Sequence, residues 1–173
     1  MSSVANTQII RRFTSEFINT ASPALAAELI APSAVFHAPG MPPLRGPDGY
    51  LGLLSMLRGG FSDVQWTLED VVAEGDKVAA RFTMRGTHTG VFMGVPPSGR
   101  PFTVTSMGIY RISNGQIVEE HGLSDMMGIM IQIGAVPAPE RAALGTRKAP
   151  GTRHYAPGTV RGPTSACSST RSS

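Results

Sequence analysis

The hydrophobic period of this chain changes near residue 60, and that change limits the fold more than any other feature. Apolar residues recur every three or four positions before it and every second position after it. Asn114-Gly115, a dipeptide typical of tight hairpin turns, separates predicted strands over 102–112 and 116–125. Early helices followed by strands in hairpins predict an α+β fold, in which the helices cover one face of a curved antiparallel sheet and enclose a pocket.

Three helices are predicted before the sheet. Apolar residues at i, i+4 and i+8 spacing, with Asn6 as N-cap, predict a helix over 6–20. Pro23 opens a second, short helix, and Pro47 opens a third, which a Gly-Gly pair ends. The remaining predicted strands lie at residues 34–37, 64–72 and 77–86. The sheet face turned away from the helices must be polar or paired with another subunit, so we expect a homodimer.

The charge of the chain is unevenly distributed. Residues 1–139 hold nine Lys or Arg against eleven Asp or Glu, a net of −2, whereas residues 140–173 hold six against one, a net of +5. The sequence therefore predicts one mildly acidic domain over 1–137 and a basic tail over 138–173. The tail is too poor in large apolar residues to offset its ordering entropy and is predicted to be disordered. We expect no nucleic-acid partner for the domain.

Cysteine usage and hydropathy suggest where the protein works. Cys167 is the only cysteine, so no intrachain disulfide is available. The chain has no apolar run long enough to span a bilayer, and its first twenty residues lack the apolar core of a signal peptide. We expect a cytoplasmic protein that does not bind a membrane.

Several separated segments resemble one family. The sequence resembles the SnoaL-like polyketide cyclases, also called ester cyclases, of the nuclear transport factor 2-like superfamily. The resemblance covers residues 6 to about 137 and lies in the segments VFHAP at 35–39, GPDG at 46–49, FSDV at 61–64, EGDKVAAR at 74–81, GTHTG at 86–90, PPSGR at 96–100 and IVEEHGLSD at 117–125.

The resemblance implies both a fold and a chemistry. The family is a cone-shaped α+β domain with an apolar pocket, and in its characterised cyclases an aspartate near the end of the last strand acts as general acid and base. The matching residue here is Asp125. Many relatives carry tryptophan where this chain has His121 and Ser124, which predicts a wider and more polar pocket. The implied substrate is a hydrophobic, carbonyl-bearing small molecule such as a polyketide intermediate, closed into a ring or isomerised without a cofactor.

The alternation of the last strand places several ionisable groups together. Glu119, His121, Leu123 and Asp125 share one face. If that face lines the pocket, neighbouring apolar side chains would raise the pKa of Asp125 and suit it to removing a proton from carbon. The predicted apolar lining consists of Phe13, Phe17, Leu54 and Met107. The alternative is that Asp125 caps the turn that follows it.

The remaining candidate residues each have two interpretations. His121 and His37 are predicted to polarise a substrate carbonyl, although His121 could pack at a subunit interface and His37 could be structural. Arg81 and Glu119 are predicted to contact substrate, although Glu119 could instead pair with Arg81 or Arg85 across strands. We expect no metal, because the spacing of these histidines matches no short ligand motif, even though ligands distant in sequence can converge in a fold.

Two other functions remain open at this point. The same pocket could hold an apolar ligand without catalysis or serve a dimeric scaffold. A third possibility is epoxide opening by an Asp-Arg-Asp set that activates water, to which Asp125 and Arg81 could belong. No second aspartate in phase with them lies on the central strands.

Overall fold

The structure of the chain, a computed structural model, describes residues 2–138. The described residues form the α+β fold that the sequence predicts, with four α-helices and one sheet of six strands. The predicted tail beyond residue 138, including Cys167, lies outside the described residues.

The first helix begins earlier than predicted. Helix α1 (Ser3–Arg12) is capped by Ser2, whose hydroxyl accepts a hydrogen bond from the Ala5 N–H. The prediction that Asn6 is the cap is wrong, because Asn6 lies inside the helix, where its buried amide donates to Gly75 O at 2.9 Å. A π-helical segment, Phe13–Ile18, continues the helix.

The other helices follow the proline signals of the sequence. Helices α2 (Pro23–Leu29) and α3 (Gly46–Gly60) each carry proline in the first turn. Backbone N–H groups there have no hydrogen-bond partner within the helix, so proline, which lacks an N–H, costs the helix no hydrogen bond. Helix α4 (Met126–Gln132) follows the last strand and begins at Asp125.

The sheet contains the hairpins that the sequence predicts. Its strands are β1 (Ile30–His37), β2 (Leu44–Arg45), β3 (Gln65–Glu74), β4 (Lys77–Thr87), β5 (Pro101–Ser113) and β6 (Gln116–Ser124), in the spatial order β2-β1-β6-β5-β4-β3. The four strands from β3 to β6 pair antiparallel through successive hairpins. Strand β1 pairs parallel to β6, so the sheet is mixed rather than wholly antiparallel. No hairpin joins β1 to β6, so no tight turn forces the two strands to run in opposite directions.

The two faces of the sheet differ in burial. Along β5 every second residue is buried, namely Phe102, Val104, Ser106, Gly108, Tyr110 and Ile112. We call the face that carries these residues the inner face, because the helices cover it, and the opposite one the outer face. The residues between them, including Met107 and Ile109, are exposed on the outer face.

Two apolar clusters fill the inner side. The first packs α1, α2 and α3 on the sheet and includes Ile10, Phe13, Phe17, Leu29, Tyr50, Leu54 and Tyr110. The second joins the end of α3 and helix α4 to the far end of β4 and β5, and includes Phe61, Met84, Phe92, Phe102, Ile129 and Ile133. Within residues 2–138, no helix is both long enough and apolar enough to cross a membrane.

The loop that follows β4 is attached to the end of α3. The N–H groups of Thr89 and Gly90 both donate to Gly60 O at 3.0 Å. A side chain on Gly90 would collide with the backbone oxygen of Gly59, so only glycine permits this approach.

We expect Gly90→Ala to lower the free energy of unfolding by about 1–3 kcal/mol, because the added methyl group must push the loop away from α3. Gly52→Ala is the matched control. Gly52 faces open space on α3, and alanine there should raise stability by about 0.5–1 kcal/mol. Urea unfolding of both variants measures the difference. Equal midpoints for the two variants would show that the loop does not depend on this contact.

Candidate active site on the inner face of the sheet

A bulge in β6 determines which of its side chains face the helices. Ile112 pairs with Ile117, but the next pair along β5 is Arg111 with Glu119, so β6 holds one extra residue, Val118. Such a bulge shifts the alternation of the strand by one position. As a result Ile117 and Glu120 are both buried on the inner face, whereas Glu119 lies on the outer face.

The predicted row of site residues therefore faces the wrong way. Glu119, His121 and Leu123 do share a face, but it is the outer one, where Leu123 is 58% exposed and the His121 side chain 61% exposed. The prediction that this row lines an apolar pocket is wrong. The sequence misled because apolar residues such as Met107 and Ile109 occupy the outer face of the neighbouring strand.

Asp125 is exposed and caps a helix. Its Oδ1 accepts a hydrogen bond from the Gly128 N–H at 2.7 Å at the start of α4. This is the alternative that the sequence left open for Asp125. Its predicted environment, a pocket that removes water from the carboxylate, is not the one found. A catalytic role for Asp125 stays a prediction from the resemblance.

The two candidate histidines lie together on the outer face. His37 on β1 is directly beside His121 on β6, and their rings stack in parallel with centroids 4.5 Å apart. His121 Nε2 lies 3.4 Å from Glu119 Oε1. The structure thus joins His37, His121 and Glu119, but on the side of the sheet opposite the helices.

The predicted substrate contacts divide between the two faces. Phe13, Phe17 and Leu54 are buried in the first apolar cluster on the inner side. Met107, by contrast, is 48% exposed on the outer face, so its predicted place in an apolar lining is wrong.

The two charged residues predicted to contact substrate also lie on the outer face, where each is held in an ion pair. Arg81 pairs with Asp70, and Glu119 pairs with Arg111 at 2.9 Å rather than with Arg81 or Arg85. Strand pairing places Arg81 opposite Asp70 and Arg111 opposite Glu119.

Glu120, which sequence reasoning passed over, is the buried carboxylate of the inner face. It is 9% exposed and lies among the rings of the first apolar cluster. Burial raises the pKa of Glu120 to about 7, while hydrogen bonding from the hydroxyls of Tyr110 and Tyr50 acts in the opposite direction. Its Oε2 is buried without a hydrogen-bond partner. A carboxylate in this state is a base of moderate strength at neutral pH.

The two tyrosines are suited to remain hydrogen-bond donors. Burial raises the pKa of Tyr50 and of Tyr110 well above the ordinary value of 10, and the negative charge of Glu120 adds to the rise. Both hydroxyls therefore keep their protons at neutral pH. Phe13 packs edge-on against both rings, at centroid distances of 5.2 and 5.7 Å, and holds their orientation.

A strip of small residues extends from Glu120 along the inner face. Gly108 and Gly122 are paired across β5 and β6, and the hydroxyls of Ser106 and Ser124 are hydrogen-bonded at 2.7 Å beyond them. A Cβ on Gly122 would lie 3.0 Å from Glu120 Oε1, so the carboxylate extends over this glycine. A Cβ on Gly108 would lie 2.7 Å from the Tyr110 hydroxyl. The glycine pair thus makes room for the polar groups.

The signal for Glu120 was present in the sequence but ambiguous. The alternation of β6 places Glu120, Gly122 and Ser124 on one face and the row that contains His121 on the other. Alternation alone does not indicate which of the two faces is buried. Matching the glycines of β5 and β6 across the hairpin would have indicated the inner face, because large side chains need that space.

The structure also separates the residues suggested for epoxide opening. Arg81 is on the outer face with Asp70, whereas Asp125 caps α4. In residues 2–138 these groups do not form one water-activating set.

Comparison with known proteins agrees with this architecture. The sequence model of the SnoaL-like polyketide cyclase family matches residues 8–133. The chain belongs to this family. It is 32% identical over 116 residues to aklanonic acid methyl ester cyclase DnrD of Streptomyces peucetius, a match that covers 65% of this chain and 77% of that protein.

Solved structures give the same result for the fold. IdmH of Streptomyces antibioticus, described as a putative polyketide cyclase, superposes with a TM-score of 0.68 at 38% identity, over 75% of this chain and 98% of IdmH. A SnoaL-like protein from Jannaschia sp. CCS1 superposes with a TM-score of 0.71 at 24% identity, over 78% of this chain and 95% of its own, and supports the fold alone.

Burial of Glu120 should make stability depend on pH. Its pKa is raised from 4.5 to about 7 in the folded state. The contribution of neutral Glu120 to the free energy of unfolding is therefore fully present below pH 4.5 and is lost as pH rises through 7. The loss amounts to about 3 kcal/mol. We expect Glu120→Gln to remove this dependence. The difference in unfolding free energy between wild type and variant, measured from pH 4 to pH 8, gives the effect, and a constant difference would contradict it.

Proposed function

We propose that this protein is a cyclase that closes a ring in a polyketide intermediate by an intramolecular aldol reaction, with Glu120 as the general base. The observation that carries the proposal is the buried carboxylate with a pKa of about 7, beside a strip of small residues on the inner face. The family and its relatives, among them cyclases of aklanonic and nogalonic acid methyl esters, support the same reaction class.

The reaction begins with the removal of a proton from carbon. The Glu120 carboxylate takes a proton from a carbon next to a carbonyl group of the substrate, and the electron pair of the C–H bond becomes part of an enolate. The enolate carbon then attacks a second carbonyl carbon of the same molecule. A carbon–carbon bond forms, the π bond of that carbonyl breaks, and its oxygen becomes an alkoxide.

The proton that Glu120 removed completes the reaction. Protonated Glu120 returns it to the alkoxide, so the carboxylate is regenerated and the product is an isomer of the substrate. Because no electrons or atoms leave or enter, the chain's own residues supply everything that this step requires. Hydrogen bonding from the hydroxyls of Tyr110 and Tyr50 lowers the pKa of this carboxylate, against the rise that burial causes.

The surroundings of Glu120 favour a flat, apolar guest. The strip of Ser106, Gly108, Gly122 and Ser124 carries no large side chain, and Gly122 and Ser124 are half-buried, so the strip meets solvent at that end. The two apolar clusters hold Phe82 and Met84 on the neighbouring strand. A hydrophobic molecule with two carbonyl groups that entered over this strip would bring its acidic carbon to Glu120.

The test compares two carboxylates. We expect Glu120→Gln to lower kcat for an accepted ester by a hundredfold or more, the usual contribution of a general base, while ligand affinity is retained. Asp125→Asn is the matched variant, because it tests the role that the resemblance implies. The probes are aklanonic and nogalonic acid methyl esters, and the product is detected as an isomer of unchanged mass. Full activity of Glu120→Gln together with loss in Asp125→Asn would transfer the base to Asp125.

The same assay separates catalysis from binding alone. A non-catalytic binding module would be stabilised thermally by these esters and would release them unchanged. Product formation by the wild type is therefore the first requirement of the proposal.

We propose in addition that the outer face pairs with a second copy of the chain. Met107, Ile109 and Leu123 form an exposed apolar row on neighbouring strands, with Ile109 54% exposed. The ion pair of Arg111 with Glu119 borders this row. A twofold interface sets the same patch opposite itself, so an apolar centre with paired charges of both signs beside it is self-complementary.

We expect Ile109→Glu to convert a dimer into a monomer, because like charges would face each other across the twofold axis. Val72→Glu on β3, an exposed apolar position at the sheet edge, is the control and should leave the dimer intact. Light scattering after gel filtration gives the mass. A monomeric wild type would contradict the proposal.

A further inference from the structure

His37, Glu119 and His121 form a compact cluster that the proposed reaction does not use. One potential ligand atom from each residue lies within 4.8 Å of the other two. The cluster is on the outer face, on the opposite side of the sheet from Glu120. Two imidazoles and one carboxylate are a common donor set for divalent transition metals.

The backbone holds these three residues in a favourable arrangement. His37 and His121 are direct neighbours on the parallel strands β1 and β6, so their backbones are about 4.8 Å apart. Glu119 lies two residues before His121 and therefore on the same face of β6. The Cβ atoms that carry the ligands are thus fixed by the sheet, and only side-chain torsions remain to be set.

One side of the ligand triangle already has the right length. Tetrahedral zinc with bonds of 2.0–2.1 Å places its ligand atoms about 3.3 Å apart. His121 Nε2 and Glu119 Oε1 are 3.4 Å apart. The stacked ring of His37 must rotate so that its nitrogen points to the same centre, and half-buried His37 has the side-chain freedom to do so.

Arg111 orients the carboxylate. Its Nε donates to Glu119 Oε2 at 2.9 Å, which leaves Oε1 directed toward His121. A hydrogen bond to the second oxygen of a ligating carboxylate is the kind of outer contact that fixes a metal ligand.

We propose that His37, Glu119 and His121 bind a divalent transition-metal ion of the zinc type, with a fourth position left for a ligand that these three residues do not supply. The ion would join β1 to β6, the one parallel pair of the sheet in residues 2–138. This proposal is independent of the cyclase reaction, since the cluster and Glu120 lie on opposite faces. Sequence spacing could not indicate it, because His37 and His121 are 84 positions apart in the chain.

The test is zinc binding to the full chain without a histidine tag. We expect titration calorimetry to show one Zn²⁺ bound per chain, and Co²⁺ to give a visible absorption spectrum typical of nitrogen and oxygen ligands. His37→Ala, His121→Ala and Glu119→Gln should each weaken binding tenfold or more, since removing even an outer partner of a metal ligand costs about 10- to 100-fold. Zinc should also raise the melting temperature of the wild type and not that of His121→Ala.

Two controls separate this site from other ligands on the chain. Glu74→Gln changes an exposed carboxylate at the end of β3 and should leave zinc affinity unchanged. A double variant, His154→Ala with Cys167→Ser, removes the one histidine and the one cysteine of the sequence after 138 and should also bind normally. Unchanged melting temperatures without metal would show that the His37, Glu119 and His121 variants fold. No zinc binding by the wild type, or binding that survives in His37→Ala and His121→Ala, would overturn the proposal.

Discussion

The pairing of β6 with β5 is the constraint on which the candidate site depends. Ile112 and Arg111 are adjacent on β5, but their partners on β6, Ile117 and Glu119, are separated by one extra residue, Val118. Because successive side chains of a strand point to opposite faces, this single residue decides which of two adjacent glutamates is buried. Glu120 therefore lies under the helices, and Glu119 lies on the opposite face with Arg111.

Burying Glu120 has an energetic cost that the surrounding residues only partly offset. Burial raises its pKa to about 7, two tyrosine hydroxyls lower it, and its Oε2 has no hydrogen-bond partner. Buried polar groups in proteins are normally satisfied, and exceptions concentrate at functional sites. The paired glycines Gly108 and Gly122 point the same way, because the space that their side chains would take is occupied by the Tyr110 hydroxyl and the Glu120 carboxylate.

The two faces of the sheet separate two kinds of chemistry. On the inner face a carboxylate, two phenols and a bare strip suit proton transfer to and from a carbon acid. On the outer face two stacked histidines and Glu119 form a polar cluster beside an exposed apolar row. Membership of the SnoaL-like polyketide cyclase family agrees with the inner arrangement and says nothing of the outer one.

The sequence by itself determined most of the elements and the family. Period-two alternation, the Asn114-Gly115 turn and the prolines at helix starts act locally, and local signals survive without tertiary information. It also identified the row that contains His121. Tertiary structure alone decided the inside of the sheet, the neighbourhood of His37 and His121, and the burial of Glu120. These depend on strand register and on contacts between residues far apart in sequence, which no local pattern encodes.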